Sequence, residues 1–132
     1  MYAVTPATPE PTGCLDGRLL TEEMVRGWVA WLVRRVGSRK PKKIAKHLGA
    51  LFSRATDGNR GWDGILIRLP ESGRWGIAVN SLLSPIRAEY AAAHEVTHLI
   101  IERTTINPPQ PGDTHLEQLA DAGAHELLFG WD

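Results

Sequence analysis

The pentapeptide HEVTH, residues 94–98, constrains the fold more than any other part of this sequence. In an α-helix, positions i and i+4 lie on one face, so both imidazoles could reach a single metal ion at about 2.0–2.1 Å. Glu95, rotated by about 100°, would lie beside the metal and could accept a proton from water bound there. The composition predicts roughly 0.013 such pentapeptides by chance, so accident is a poor explanation.

Apolar residues at helical spacing surround this pentapeptide and predict a helix over residues 85–103, with Ser84 as its N-cap. The prolines of segment 107–112 exclude a helix and predict a loop. A last helix is predicted over residues 114–129, with Thr114 as its N-cap. Its inward face should consist of Leu116, Leu119, Ala120, Leu127 and Leu128.

A catalytic zinc site needs a third protein ligand if water is to occupy the fourth position. The last helix offers His115, Glu117, Asp121, His125 and Glu126 as candidates. Glu117 and Asp121 share one face, so Glu117 could bind the metal while Asp121 accepts a hydrogen bond from a ligand histidine. His115 is the rival ligand. Alternatively, Glu117 completes a capping box with Thr114 and only satisfies a backbone donor.

The remaining patterns predict a single domain over residues 14–132, preceded by a flexible, proline-rich tail over residues 1–13. One helix should run from the N-cap Thr21 to Gly37, and a second from Pro41. The second helix would bury Ile44, Leu48, Leu51, Phe52 and Ala55 and end in a loop at 57–61.

Segments 64–69 and 74–79 flank a four-residue turn and predict a β-hairpin. The second of these strands could hold an extended substrate by edge pairing. The order helix, helix, hairpin, helix, helix predicts an α+β domain.

Composition excludes several kinds of site. Cys14 is the only cysteine, which rules out an internal disulfide and a thiolate-rich metal site and fits a reducing compartment. The first 13 residues lack the features of a secretory signal, and no apolar run approaches 18 residues. We therefore expect a cytoplasmic location without membrane association.

Charge is divided unevenly along the chain. Residues 1–60 carry eleven Lys and Arg against five Asp and Glu, whereas residues 86–132 carry two against eight. Segment 34–46 contains seven basic residues and no acid. A solvated surface is one interpretation, and a docking face for nucleic acid or an acidic partner is the other.

Three segments resemble the ImmA/IrrE family of metallopeptidases: RAEYAAAHEVTH at 87–98, EQLAD at 117–121 and AHELL at 124–128. The family pattern is approximately R-x-x-F-T-x-A-H-E-x-x-H, followed by E-x-x-A-[ND]-x-F-A-x-x-L-L-x-P. The chain departs from it at Tyr90 for phenylalanine, Thr97 for glycine, Gly123 for phenylalanine and Gly130 for proline, as in a divergent member.

The resemblance covers about residues 64–130. It implies a minimal zincin-like fold, Glu117 as the third ligand, and an intracellular role in cleaving helix-turn-helix repressors of mobile elements or stress regulons. In the expected reaction, zinc lowers the pKa of its water to about 7, and Glu95 takes that proton and passes it to the leaving amine. Tyr90 or His115 could donate a hydrogen bond to the transition state.

Two other functions are compatible with a metal site. A metal-loaded regulatory module with vestigial peptidase activity could use segment 34–46 to contact a partner protein or DNA. A purely structural zinc site would generally need four ligands, usually including cysteines, which Cys14 cannot supply.

Overall fold

The computed structural model describes residues 15–55, 61–106 and 113–130. Within these ranges the chain forms an α+β domain, as the sequence predicts. The helices are α1 Glu22–Val36, α2 Pro41–His47, α3 Pro85–Thr104 and α4 Thr114–Phe129, and the strands are β1 Leu15–Asp16, β2 Leu51–Ala55, β3 Gly64–Arg68, β4 Trp75–Asn80 and β5 Thr105–Ile106. The predicted tail over residues 1–13 and the loop at 107–112 lie outside the described residues.

Helix ends follow the predicted capping residues at α1 and α3. The Thr21 hydroxyl accepts a hydrogen bond from the Met24 backbone, and Gly37 ends α1 with a φ of 80°. Ser84 caps α3 in the same way through the Arg87 backbone N–H, with Pro85 in the first turn. At α4 the prediction is wrong by one residue, because Asp113 is the N-cap and accepts from the His115 backbone.

The second helix is shorter than the sequence predicts. It ends at His47, and residues 51–55 form strand β2, which pairs in parallel with β4. Gly49, with a φ of 79°, lies in the turn between helix and strand. The predicted helix beyond His47 is therefore wrong: a short apolar run is ambiguous between helix and strand, and pairing with β4 decides it.

The main sheet has the strand order β2-β4-β3. Strands β3 and β4 form the predicted antiparallel hairpin, with Leu66 opposite Ile77. Because β4 is paired on both sides, the expectation that it offers a free edge to a substrate is wrong. Within the described ranges, β2 and β3 each have only β4 as a strand neighbour, so β3 forms one edge of the sheet.

Helix α3 runs through the centre of the domain and contacts the sheet, α1, α2 and α4. Its fully buried side chains include Val96, Leu99, Ile100 and Ile101. The predicted inward face of α4 is confirmed, since four of its five side chains are buried and Leu128 is half-buried. None of the described helices combines the length and apolar character needed to cross a bilayer.

Helices α3 and α4 pack unusually closely where Gly123 faces Thr97. A Cβ atom on Gly123 would lie 2.3 Å from Thr97 Cγ2 and 2.8 Å from its hydroxyl oxygen. The Thr97 side chain is fully buried, and its hydroxyl donates to the Ala93 carbonyl at 2.9 Å. This contact sets the distance between α3, which carries His94 and His98, and α4, which carries Glu117.

Candidate metal centre

Two histidines from α3 and one carboxylate from α4 meet at a single point. His94 Nε2 lies 3.1 Å from His98 Nε2 and 2.9 Å from Glu117 Oε1. His98 Nε2 lies 3.4 Å from Glu117 Oε2. The imidazoles meet because they are one helical turn apart, whereas Glu117 reaches them only because α4 packs against α3.

This arrangement fits a zinc ion. Ligand atoms at about 2.0–2.1 Å from a tetrahedral metal lie about 3.3 Å from one another, which is close to the three observed separations. Two imidazoles and one carboxylate form a common ligand set of catalytic zinc sites, which leave one position open. A proton on His94 Nε2 would be divided between two acceptors, His98 Nε2 and Glu117 Oε1, and could not form a good hydrogen bond with both. A cation at the centre would interact favourably with all three atoms.

Asp121 contacts His94 through the second ring nitrogen, Nδ1. Its Oδ1 accepts hydrogen bonds from His94 Nδ1 at 3.0 Å and from the Tyr90 hydroxyl at 2.8 Å. The contact predicted for Asp121 is therefore present, and it directs the His94 Nε2 lone pair toward the metal position. Burial and the bond to Asp121 raise the pKa of Tyr90 to about 12, so its hydroxyl keeps its proton. In the structure, that hydroxyl donates its hydrogen bond to Asp121.

Burial also acts on the second histidine. It is the main cause that lowers the pKa of His98, with the neighbouring His94 as the next. This favours the neutral ring, which is the form that binds a metal.

Glu95 lies beside the three converging ligand atoms. Ligand atoms of His94, Glu95 and His98 lie within 4.8 Å of one another. The pKa of Glu95 is raised to about 7, mainly by burial; His94 opposes the rise and Glu117 contributes to it. A divalent cation would also oppose the shift, because it favours the ionised carboxylate. The position suits a group that exchanges a proton with water next to the metal.

Gly64 provides room for Glu95, a role that the sequence analysis missed. A Cβ atom at position 64 would lie 2.9 Å from Glu95 Cγ and 3.4 Å from the Ala91 carbonyl oxygen. The available signal was a glycine at the start of a strand, which often marks close backbone approach. Next to it, Asp63 accepts two hydrogen bonds from the Arg87 guanidinium, at 2.9 and 3.0 Å, which ties the start of β3 to α3.

The site opens into a cleft of about 510 Å³. Besides the histidines, Glu95 and Glu117, the cleft is lined by Gly64, Ile65, Leu66, Trp75, Glu102 and Leu116. A second cavity of about 290 Å³ lies on the side of Tyr90 and Asp121. The candidate metal position is thus accessible from the surface, which a catalytic centre would require and a closed structural site would not.

The rival assignments on α4 do not hold. His115 Nε2 lies 3.1 Å from the Leu20 carbonyl oxygen, and His115 lines neither cavity at the site, so it is placed neither as a ligand nor as a transition-state donor. His125 is exposed and packs against Phe129, with ring centroids 5.0 Å apart. The capping role of Glu117 is also wrong, because Asp113 is the N-cap of α4.

The basic segment 34–46 lines neither of the two cavities at the site. Arg39 donates to the carbonyl oxygens of Glu126 and Leu127 at the end of α4. This residue of the basic segment therefore has a structural role. Lys40 and Lys42 line a separate cavity of about 490 Å³ together with Arg54. Binding of nucleic acid or an acidic partner stays a prediction.

No protein-family model matches this sequence, and no curated protein matches it at a significant level.

Proposed function

We propose that this chain is a zinc-dependent endopeptidase in which His94, His98 and Glu117 hold the metal and Glu95 is the general base. One observation carries the proposal: two imidazole nitrogens and a carboxylate converge within 3.4 Å at an open cleft. Their donor types and separations suit zinc, and Glu95 lies where proton transfer is required.

Bound zinc would polarise the scissile carbonyl and lower the pKa of water at the open position toward about 7. The protein residues would supply the remaining functions. Asp121 fixes the orientation of the His94 ring, and Tyr90 fixes Asp121. Glu95 takes a proton from the attacking water and returns it to the leaving amine. Strand β3, an edge strand among the described residues, borders the cleft and would align an extended peptide through backbone hydrogen bonds.

The resemblance to the ImmA/IrrE family supports the same proposal. Two of the departures from the family pattern, Thr97 and Gly123, face each other in the packed helices. A larger residue on α3 is thus offset by a smaller one on α4, as expected for a divergent member that keeps the helix pair together. We accordingly propose a zincin-like peptidase that acts in the cytoplasm on an intracellular protein, a helix-turn-helix repressor being the class that the resemblance suggests.

The alternative is a metal-loaded binding module with vestigial peptidase activity. The placement of Glu95 argues against it, because a binding module has no need of a carboxylate beside an open metal position. The observation that would favour it is the separate cavity of about 490 Å³, which Lys40, Lys42 and Arg54 line together with Glu89.

Metal analysis and proteolysis test the proposal together. We expect one zinc per purified chain, and we expect cleavage of a repressor encoded beside the gene to stop with a chelator and return with zinc. The Glu95→Gln variant should keep its zinc and lose cleavage, whereas Glu117→Ala should lose zinc. Glu89→Gln, on the exposed side of α3, is the control for the lost charge. Full cleavage by Glu95→Gln would contradict the mechanism, and a stable complex without fragments would favour the binding module.

A further inference from the structure

Glu102 lies in the metal cleft but has no part in the proposed reaction. It is exposed, lines the cleft, and follows His98 by one helical turn on α3. Among the described residues it has no hydrogen-bond or ion-pair partner. An unpaired carboxylate at the wall of a binding cleft is available to a ligand.

The neighbouring walls of this part of the cleft are apolar. Leu66 and Trp75 come from the sheet, and Leu116 precedes the ligand Glu117 on α4. Four residues of helix place Glu102 about 6 Å along the axis from His98. That distance is close to the length of a lysine side chain, roughly 6 Å, whose aliphatic stem packs on apolar surface while its charged end stays polar.

The charge of the cleft favours a cation. Glu95, Glu102 and Glu117 line it, and no lysine or arginine of the described ranges does. The guanidinium groups nearest in sequence to the lining residues are held by other parts of the chain. Arg68 stacks over the Trp75 ring and donates to the Gly73 carbonyl. Arg74 donates to the Gly49 carbonyl, and Arg103 donates to the Leu48 carbonyl. Bound zinc would offset the charges of Glu95 and Glu117, so Glu102 would be the uncompensated charge that a substrate side chain meets in the cleft.

We infer that the cleft selects peptides with lysine or arginine next to the scissile bond, and that Glu102 determines this specificity. The inference rests on the proposed peptidase function and names its substrate class. DNA-binding proteins carry many such basic side chains, so the proposed repressor substrates are compatible with it.

The test compares peptides that differ at one position. A peptide library is incubated with the zinc-loaded protein, and cleavage sites are read by mass spectrometry. We then measure kcat/KM for matched peptides with lysine, norleucine or glutamate at the preferred position. We expect lysine to exceed norleucine by roughly five-fold at low salt, with a smaller ratio at high salt.

Variants of Glu102 assign the preference. Glu102→Gln should remove the advantage of lysine over norleucine, and Glu102→Lys should shift it toward glutamate. Glu89→Gln, which removes a carboxylate from the other side of the same helix, should keep the wild-type ratio. An unchanged lysine preference in Glu102→Gln, or no lysine preference in the wild type, would overturn the inference.

A binding measurement separates failure of the inference from failure of the proposed function. Fluorescence anisotropy with the same labelled peptides is performed on Glu95→Gln and on the double variant Glu95→Gln/Glu102→Gln. Suppose that no peptide is cleaved, but that lysine peptides bind more tightly than norleucine peptides and do so only when Glu102 is present. The peptidase proposal then fails, and the specificity inferred for the cleft stands. Equal binding of all peptides without cleavage overturns both.

Discussion

The close contact between Gly123 and Thr97 provides the most direct test of how the fold positions the proposed metal ligands. Alanine at position 123 would place a methyl group 2.3 Å from Thr97 Cγ2, 2.8 Å from its hydroxyl oxygen and 3.0 Å from Val25 Cγ1. Restoring an ordinary contact of about 3.5 Å requires α4 to move by roughly 1 Å. Glu117 and Asp121 lie on the same helix and would move with it.

Two opposing effects set the size of the change in stability. Overpacking of a buried contact costs about 1–3 kcal/mol, whereas replacing glycine by alanine within a helix gains up to about 1 kcal/mol. We therefore expect Gly123→Ala to lower the free energy of unfolding by about 1–2 kcal/mol. Metal–ligand distances tolerate changes of only about 0.2 Å, so we expect zinc affinity to fall by about ten-fold or more.

A double-mutant cycle isolates this contact from general damage. Thr97→Ala removes both atoms that make the two shortest contacts, and Val25 can yield by a few tenths of an ångström. In that background, Gly123→Ala should cost less than about 0.5 kcal/mol, which corresponds to a coupling energy of about 0.5–2 kcal/mol. Chemical denaturation measures the stability of the four proteins, and competition with a zinc chelator measures their affinity. An equal cost of Gly123→Ala in both backgrounds would refute the argument.

Three further variants test individual positions around the site. Gly64→Ala should reduce kcat by about ten-fold or more with zinc retained, because the added methyl group displaces Glu95; unchanged turnover in a peptide assay would show that the close approach has no role. Asp121→Asn should weaken zinc binding about 10- to 100-fold because His94 loses its carboxylate partner, and chelator competition that detects no change would exclude that role. His115→Ala should keep zinc and peptidase activity and lower the free energy of unfolding by about 1 kcal/mol, since only the hydrogen bond to the Leu20 carbonyl is lost; loss of bound metal, measured by elemental analysis, would restore His115 as a ligand.

Packing between α3 and α4 decides which of the candidate residues on α4 reaches the two histidines. Glu117, His115 and Asp121 were all compatible with the sequence, because helical spacing gives their relative directions but not the angle at which α4 meets α3. The cap at Asp113 and the close packing at Gly123 set that angle. Only then does Glu117 reach both histidines while His115 meets the Leu20 carbonyl.

What the sequence determined by itself is the part of the site that lies within one helix. His94, Glu95 and His98 have relative positions that follow from 3.6 residues per turn, and capping residues marked where that helix begins. The third ligand position, the identity of the edge strand and the strand at residues 51–55 were decided by tertiary structure. The physical reason is that local hydrogen bonds determine geometry over a few residues, whereas distances between elements depend on side-chain packing across the whole core.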